Sequence, residues 1–432
     1  MPKFETVRGM KDYIDSEARK IRYIETIFRN LVEKYGYSEI ISPVLEDFKL
    51  FALKGGEELR ETMYVFKDKA GREVALRPEF TPSVARAYVE SLQSMPKPVR
   101  VYYFGTVYRY DEPQYGRYRE FRQAGVELIG DNSILSDIEI IDLLYNFYDK
   151  INISQNINMK LNNIAIFRRL MSYYGLEDNI QEHLLHLIDK GKKDEAIDLL
   201  THYIKEGDNT INLINNLLNI KGIDSNELRD VIEGLRRDFR EFKIIEEDVK
   251  YLQRIADLLS ALNFNFKIDL GFVRGLAYYT GIIFEVTHPS VTFSIAGGGR
   301  YDKLIELYGG IPTPAIGFAI GVERTLLVIN LTNLQESNKI VIINLTDSDK
   351  LLAYSVKVAS LLRSEGYTVV LNMKNQPLSK LIPYYASQNF KIAIIIGENE
   401  FEKRTVTLRN LITKTQVTTS IDRLLESLKQ ML

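Results

Sequence analysis

The sequence predicts an α+β protein: a core built on a mainly antiparallel sheet, a helical insertion within it, and a C-terminal α/β domain. Three observations carry this. Residues 100–130 are dense in β-formers on either side of a polar loop, the pattern of a long antiparallel hairpin. Residues 166–251 turn to Leu, Ile, Asn, Asp and Lys with helical rather than strand periodicity. From residue 340 onward, strand and helix patterns alternate, which implies a small domain with a mainly parallel sheet. The expected division is a core of residues 1–165 and 252–331, an insertion of residues 166–251, and a domain of residues 338–432 after a polar linker.

Each element follows in order. Residues 16–35 place Ile21, Ile24, Phe28, Leu31 and Tyr35 at helical spacing, with Gly36 as the stop. A strand at 37–42 ends at Pro43, which cannot donate to a sheet ladder. Short strands at 63–67 and 73–77 precede a helix at 82–92. The hairpin loop spans 111–118, and a helix at 136–148 closes this part. After the insertion come strands at 267–271 and 278–286. Gly297, Gly298 and Gly299 lead into a helix at 301–308, and a strand–helix unit runs from 315 to 329. The last domain reads as strands at 340–344, 368–371, 392–397 and 404–410, with helices at 349–366, 379–388 and the end.

The 432 residues are 45% hydrophobic and 26% charged, an ordinary globular composition. No apolar run approaches the roughly 18 residues a membrane span needs, so no membrane association is expected. The first residues lack the basic and apolar segments of an export signal. There is no cysteine, which excludes disulfides, thiolate zinc sites and cysteine nucleophiles and fits a reducing cytoplasm. Net charge is −2, but residues 338–432 hold 13 Lys and Arg against 8 Asp and Glu. Such a surplus suits phosphate contacts, or simply a lysine-rich solvated surface. His183 and His186 lie three apart in the insertion and read as helix-surface polarity rather than metal ligands. His202 and His288 also stand outside every polar cluster, and no Ser-His-Asp arrangement is visible.

Chemistry concentrates on the hairpin. Strand alternation puts Arg119, Phe121, Gln123, Gly125 and Glu127 on one face. Such a row is either a solvated face or a binding face. Arg109 on the partner strand can converge with Arg119 on one ligand; guanidinium groups match phosphate oxygens, and Phe121 offers a flat surface to a purine. Glu79 and Thr81 sit at a strand end, where Glu79 could accept from an ammonium group and Thr81 could cap the helix opened by Pro82. Arg274, followed by Tyr278 and Tyr279, suits an anion beside a polar ring. The glycines at 297–299 fit neither a P-loop nor a dinucleotide fingerprint and are expected to allow close backbone packing. Arg324 falls in the first turn of a helix, where the dipole does not favour a cation, so a ligand phosphate would explain it.

Together these blocks resemble the class II aminoacyl-tRNA synthetases, and within them the histidyl-tRNA synthetase family, over nearly the whole chain. Residues 37–43, 104–121 and 317–324 are similar to the three class II motifs. Arg274-Gly275-Leu276 with Tyr278-Tyr279, and Gly298-Gly299-Arg300-Tyr301-Asp302, are similar to two segments peculiar to the histidine enzymes. The resemblance implies a class II core and a C-terminal anticodon-binding domain. It also implies histidine, ATP with Mg2+ and tRNA-His as ligands, and a cytoplasmic homodimer. Glu79, Thr81 and Gln123 would hold the α-amino group; Glu127, Tyr279 and Tyr278 would read the imidazole. Arg109, Arg119 and Arg324 would bind the phosphates, with Phe121 stacked on adenine. Arg274 would stand between carboxylate and α-phosphate, in catalysis with Arg109, and no dedicated metal site is expected.

Three departures stand out. Ala277 replaces an aspartate of many members. Glu112 and Tyr115 replace basic residues of the motif 2 loop that meets the tRNA acceptor end. Arg122 replaces an aromatic or histidine, on the face away from the site. A competing reading is a non-catalytic regulatory paralogue of ATP phosphoribosyltransferase, or a histidine-sensing module. The complete C-terminal domain and the presence of Arg109, Arg274 and Arg324 weigh against it.

Overall fold

The computed structural model describes residues 4–55, 57–204, 209–273, 278–331 and 338–432. The chain divides into two compact units, Met1–Asn330 and Leu331–Leu432.

The first unit carries twelve strands among the described residues: β1 (Ser38–Glu39), β2 (Leu45–Asp47), β3 (Val65–Lys67), β4 (Glu73–Leu76), β5 (Val99–Tyr108), β6 (Glu120–Ile129), β7 (Asn158–Asn163), β8 (Lys221–Ile223), β9 (Phe266–Asp269), β10 (Ile282–Thr287), β11 (Ser294–Arg300) and β12 (Ala315–Gly321). Nine of them form one sheet, ordered β1-β5-β6-β12-β11-β10-β7-β9-β8; the small sheet β2-β4-β3 stands apart. Only β1 with β5 and β7 with β9 are parallel in the large sheet. The expected antiparallel core is therefore present.

The long hairpin β5–β6 is its spine, with Val99 opposite Ile129 and Tyr108 opposite Glu120. Helices Ser16–Val32 and Ile134–Lys150 pack on it. Ile21, Ile24 and Phe28 recur at helical spacing and are buried, and Phe28 meets Tyr102 and Phe147 edge-on, a favoured aromatic geometry. Gly36 ends this segment at φ 81°, a conformation glycine adopts without strain.

Helices Ala165–Tyr173, Asp178–Asp189, Lys193–Thr201, Thr210–Asn219, Ser225–Asp238 and Glu246–Ala261 make up the helical region. Ser225–Asp238 opens with a capping box between Asp224 and Glu227. The short strand β8 also lies here and pairs with β9, so the segment reaches into the sheet. Three sequence expectations change. The strand at 37–42 shrinks to β1, because the carbonyls of Ser42 and Pro43 accept from the buried Arg77 guanidinium instead of a ladder. The strand at 278–286 begins only at Ile282. The glycine run lies inside β11 instead of leading into a helix, and the helix that follows is the single turn Leu304–Leu307.

In the second unit, β13 (Lys339–Asn344), β14 (Thr368–Leu371), β15 (Phe390–Ile396), β16 (Thr405–Asn410) and β17 (Gln416–Ser420) form a sheet ordered β14-β13-β15-β16-β17. The first two pairings are parallel and the last two antiparallel, so the expected mainly parallel sheet is a mixed one. The polar edge strand β17 gave no hydrophobic alternation to read. Both faces of the sheet are covered: Ile340, Ile342, Ile392 and Ile394 join Leu351, Val358 and Leu424 on one side, Val341, Ile343 and Ala393 join Leu381 on the other.

Candidate active site

The cleft floor is set by register. Across β6, β12 and β11, Glu127 faces Gly317, which faces Gly299; one step along, Gly125 faces Ala319, which faces Gly297. Small residues leave a trough, and the Glu127 carboxylate lies in it. A Cβ on Gly317 would stand 1.8 Å from Glu127 Oε2. The resulting cleft has two chemically different ends.

At the first end, Glu127 is 1% exposed. Its Oε1 accepts from Thr81 Oγ1 at 2.8 Å and from the Tyr103 hydroxyl at 3.3 Å; its Oε2 accepts from the Tyr301 hydroxyl at 2.6 Å. Burial pushes its carboxyl up to about 7 despite those three donors, and the charge of Glu79 adds to the rise. Tyr278 donates to Glu79 Oε2 at 2.9 Å, and its ring stands 5.0 Å from Tyr279 and 5.9 Å from Tyr301. Phe80 stacks on Tyr103 at 4.2 Å, which fixes that hydroxyl. Gln123 lines the same wall, and its buried Oε1 has no hydrogen-bond partner among the described residues. An amide oxygen left so is costly without a ligand donor.

At the second end, arginines converge. Arg109 Nε donates to the Pro78 carbonyl at 3.0 Å, and its guanidinium stands 5.3 Å from the Phe121 ring centre. Arg324 donates to the carbonyls of Gly116 at 2.8 Å and Ser294 at 3.0 Å. Burial, then the charges of Arg109 and Arg117, push Arg324 down to about 10. Arg117 is carried there by a turn in which Gln114 and Arg117 bridge and Gly116 takes φ 72°, with Phe293 filling the space a Cβ would need. Its nearest acidic group, Asp111, is 3.9 Å away.

Of the residues expected from sequence, Glu79, Thr81, Arg109, Phe121, Gln123, Glu127, Tyr278, Tyr279 and Arg324 line this one cleft. Arg119 does not. Its residue precedes the first residue of β6, so strand alternation no longer governs it; its Nε donates to the Asp111 carbonyl and it lies over the Tyr110 ring. Arg117 lines the cleft in its stead, and the Gly116 turn was the signal for it. Thr81 does not cap its helix, since its hydroxyl serves Glu127. Tyr301, read as the start of a helix, instead delivers its hydroxyl to Glu127. Arg274 and Ala277 lie outside the described residues.

The departures also find places. Glu112 pairs with Arg8 on the surface, and Tyr115 is 70% exposed. Arg122 pairs with the buried Glu323 at 2.9 Å. His183 and His186 are both exposed, and no group of three or more His, Asp or Glu among the described residues is placed to hold a metal.

A family model described as histidyl-tRNA synthetase matches residues 9–325. The chain belongs to the histidyl-tRNA synthetase family. A second model, described as an anticodon-binding domain, matches residues 339–431. Histidine–tRNA ligases of Saccharolobus solfataricus (strain P2) and Saccharolobus islandicus (strain M.16.27) are 61% and 62% identical to the chain, each over the full length of both proteins. The apo histidyl-tRNA synthetase of S. aureus superposes with a TM-score of 0.74 at 26% identity, over 99% of this chain and 100% of that one. The enzyme from Nostoc sp. PCC 7120, at 23% identity and TM-score 0.78, shares the fold over the full length of both. The synthetase family thus spans both units, and the cleft with its two ends falls within the segment matched by the first model.

Proposed function

We propose that the chain is a histidine–tRNA ligase that activates histidine with ATP in this cleft and passes the histidyl group to tRNA-His. The observation that carries the reading is the pairing of opposite demands in one trough: a hydroxyl-ringed carboxylate at one end, mutually repelling arginines at the other. An amino acid with a hydrogen-bonding ring satisfies the first, and a triphosphate satisfies the second.

Glu79, Thr81 and Gln123 are assigned to the α-amino group, and Glu127, Tyr278 and Tyr279 to the imidazole. Arg109, Arg117 and Arg324 hold phosphates, with Phe121 against adenine. The histidine carboxylate attacks the α-phosphorus; the new O–P bond forms as the α–β bridge breaks, and pyrophosphate leaves. Negative charge spreads over the equatorial oxygens, where fixed cations count most. Arg274 is assigned there on family resemblance, with Arg109. A hydroxyl of the terminal tRNA ribose then attacks the acyl carbon and AMP leaves. Mg2+ would arrive with the nucleotide, bound through phosphate oxygens whose charge it screens.

The C-terminal unit, residues 338–432, is assigned to the anticodon, and residues 166–251 are kept as an insertion in the core. A cytoplasmic homodimer completes the proposal; no helix among the described residues is long and apolar enough to cross a membrane. The regulatory-paralogue reading is not favoured. A Bacillus halodurans structure titled ATP phosphoribosyltransferase regulatory subunit/histidyl-tRNA synthetase shares the fold at 22% identity and TM-score 0.76, which separates no functions.

The test is ATP–pyrophosphate exchange with each of the twenty amino acids, followed by charging of tRNA-His transcript. Exchange with histidine alone, then charging, is the expected result. Absence of exchange with any amino acid overturns the reading.

A further inference from the structure

Tyr278 and Tyr279 are buried on the cleft wall, yet both precede the first residue of β10 and so lie outside its ladder. Their anchors come from elsewhere. Arg168 Nε donates to the Tyr279 carbonyl at 2.9 Å, the Ile164 amide donates to the Gly281 carbonyl at 3.0 Å, and the Thr280 amide donates to the Arg300 carbonyl at 2.8 Å. Two of these three come from residues 164–168, where the first helix of the insertion, Ala165–Tyr173, begins. Just upstream the buried Asn162 holds the carbonyls of Leu270 and Phe272, at 3.2 and 2.6 Å.

Arg168 is the charged member of this set. Burial lowers its pKa, which Glu182 and Asp178 on the next helix oppose. A guanidinium kept in place at a desolvation cost, and spent on a main-chain carbonyl, gives a hydrogen bond roughly twice as strong as a neutral one. Its neighbour Arg169 is used differently: it pairs with Asp248 and so ties the entry and exit helices of the insertion together, without touching the tyrosines.

We infer that Arg168 is a positioning residue for amino-acid recognition, holding the Tyr279 backbone and with it the Tyr278–Tyr279 pair from the root of the helical insertion. The inference rests on the reading that these tyrosines face histidine. Arg168 is not among the residues that line the cleft. A misplaced tyrosine pair weakens histidine binding while leaving the arginine end, and so ATP binding, as it was.

The experiment compares Arg168→Met and Arg168→Gln with Arg169→Met in ATP–pyrophosphate exchange by the full-length protein. Exchange by the wild type with histidine establishes the underlying reading separately. Arg168→Met should raise KM for histidine about ten- to hundredfold, the worth of one hydrogen bond from a charged donor, with KM for ATP within about twofold. Arg168→Gln, which keeps a neutral donor, should recover part of the loss and serves if Arg168→Met does not fold. Arg169→Met should leave KM for histidine unchanged. The inference is overturned if Arg168→Gln and Arg168→Met leave KM for histidine at the wild-type value. It is equally overturned if both KM values rise together, or if Arg169→Met has the same effect, since either marks a general loss of structure.

Discussion

The two ends of the cleft are built on opposite electrostatic plans. Around Glu127 each hydroxyl hydrogen has an acceptor, and Phe80 and the sheet hold the donors in place. Around Arg324, three guanidinium groups approach one another, and the hydrogen bonds of Arg109 and Arg324 go to carbonyls that do not neutralise them. At the first end the donors around Glu127 are satisfied without a ligand, which leaves the Gln123 amide oxygen for one. The second stays under charge repulsion until an anion arrives. On the proposed assignment an amino acid would meet a preformed shape, whereas a nucleotide would gain energy by relieving a repulsion already present.

The largest test of that contrast is Arg324→Ala. It removes a half-buried cation from the end assigned to phosphates, and exchange should fall by about 10²–10³-fold. A rate within tenfold of wild type would break the assignment of this end to phosphates. Arg117→Gln sharpens the same point. It should raise KM for ATP while leaving the melting temperature of the ligand-free protein unchanged or higher, because one repelling charge is gone. A clear destabilisation would mean that Arg117 holds the fold rather than the ligand.

The hydroxyl-ringed end should answer next, and through shape. In Gly317→Ala the new methyl group would stand where Glu127 Oε2 lies. The carboxylate must leave its three donors, so histidine-dependent exchange should fall with ATP binding retained. Overpacking of this kind costs about 1–3 kcal/mol of stability, readable by denaturant unfolding. Full activity in this variant would show that the trough is not the amino-acid site.

Legibility in the sequence follows the same divide. Phe121, Gln123 and Glu127 were readable because a regular strand alternates faces, and the structure keeps that alternation from Glu120 onward. Arg119 lies one residue before that strand, and no period in the sequence marks where a ladder starts. Arg117 reaches the cleft through a turn at Gly116; the glycine marks a turn, but local propensity does not encode where that turn delivers the next side chain. The glycine run was seen, but its place in mid-strand was not. Glycine disfavours strands in general, and only distant neighbours require it there: a Cβ on Gly298 would meet the Gly317 carbonyl and the Phe284 ring, and one on Gly299 the Ile282 carbonyl and the Tyr279 ring. Thr81 is legible as a candidate cap and, through the family resemblance, as a neighbour of the α-amino group, but not as the donor to Glu127, which lies 46 residues away. Long-range partners, not local pattern, were what the sequence withheld.

The smallest predicted effect tests how Glu127 is held. Its carboxyl, pushed up to about 7 in the folded protein, titrates near 4.3 in an unfolded chain. Between those values the unfolded chain has released a proton that the folded one retains. Stability from this group is therefore present below about pH 4.3 and is lost as pH rises towards 7. Glu127→Gln carries no such proton. The melting temperature of wild type relative to Glu127→Gln should fall as pH goes from about 5 to 7.5, then level off; titrations common to both proteins cancel in the difference. If the difference instead stayed flat over that interval, the carboxyl would titrate at or below its value in water, and Thr81, Tyr103 and Tyr301 would be holding a fully ionised carboxylate. The amino-acid end would then store an uncompensated charge much as the arginine end does.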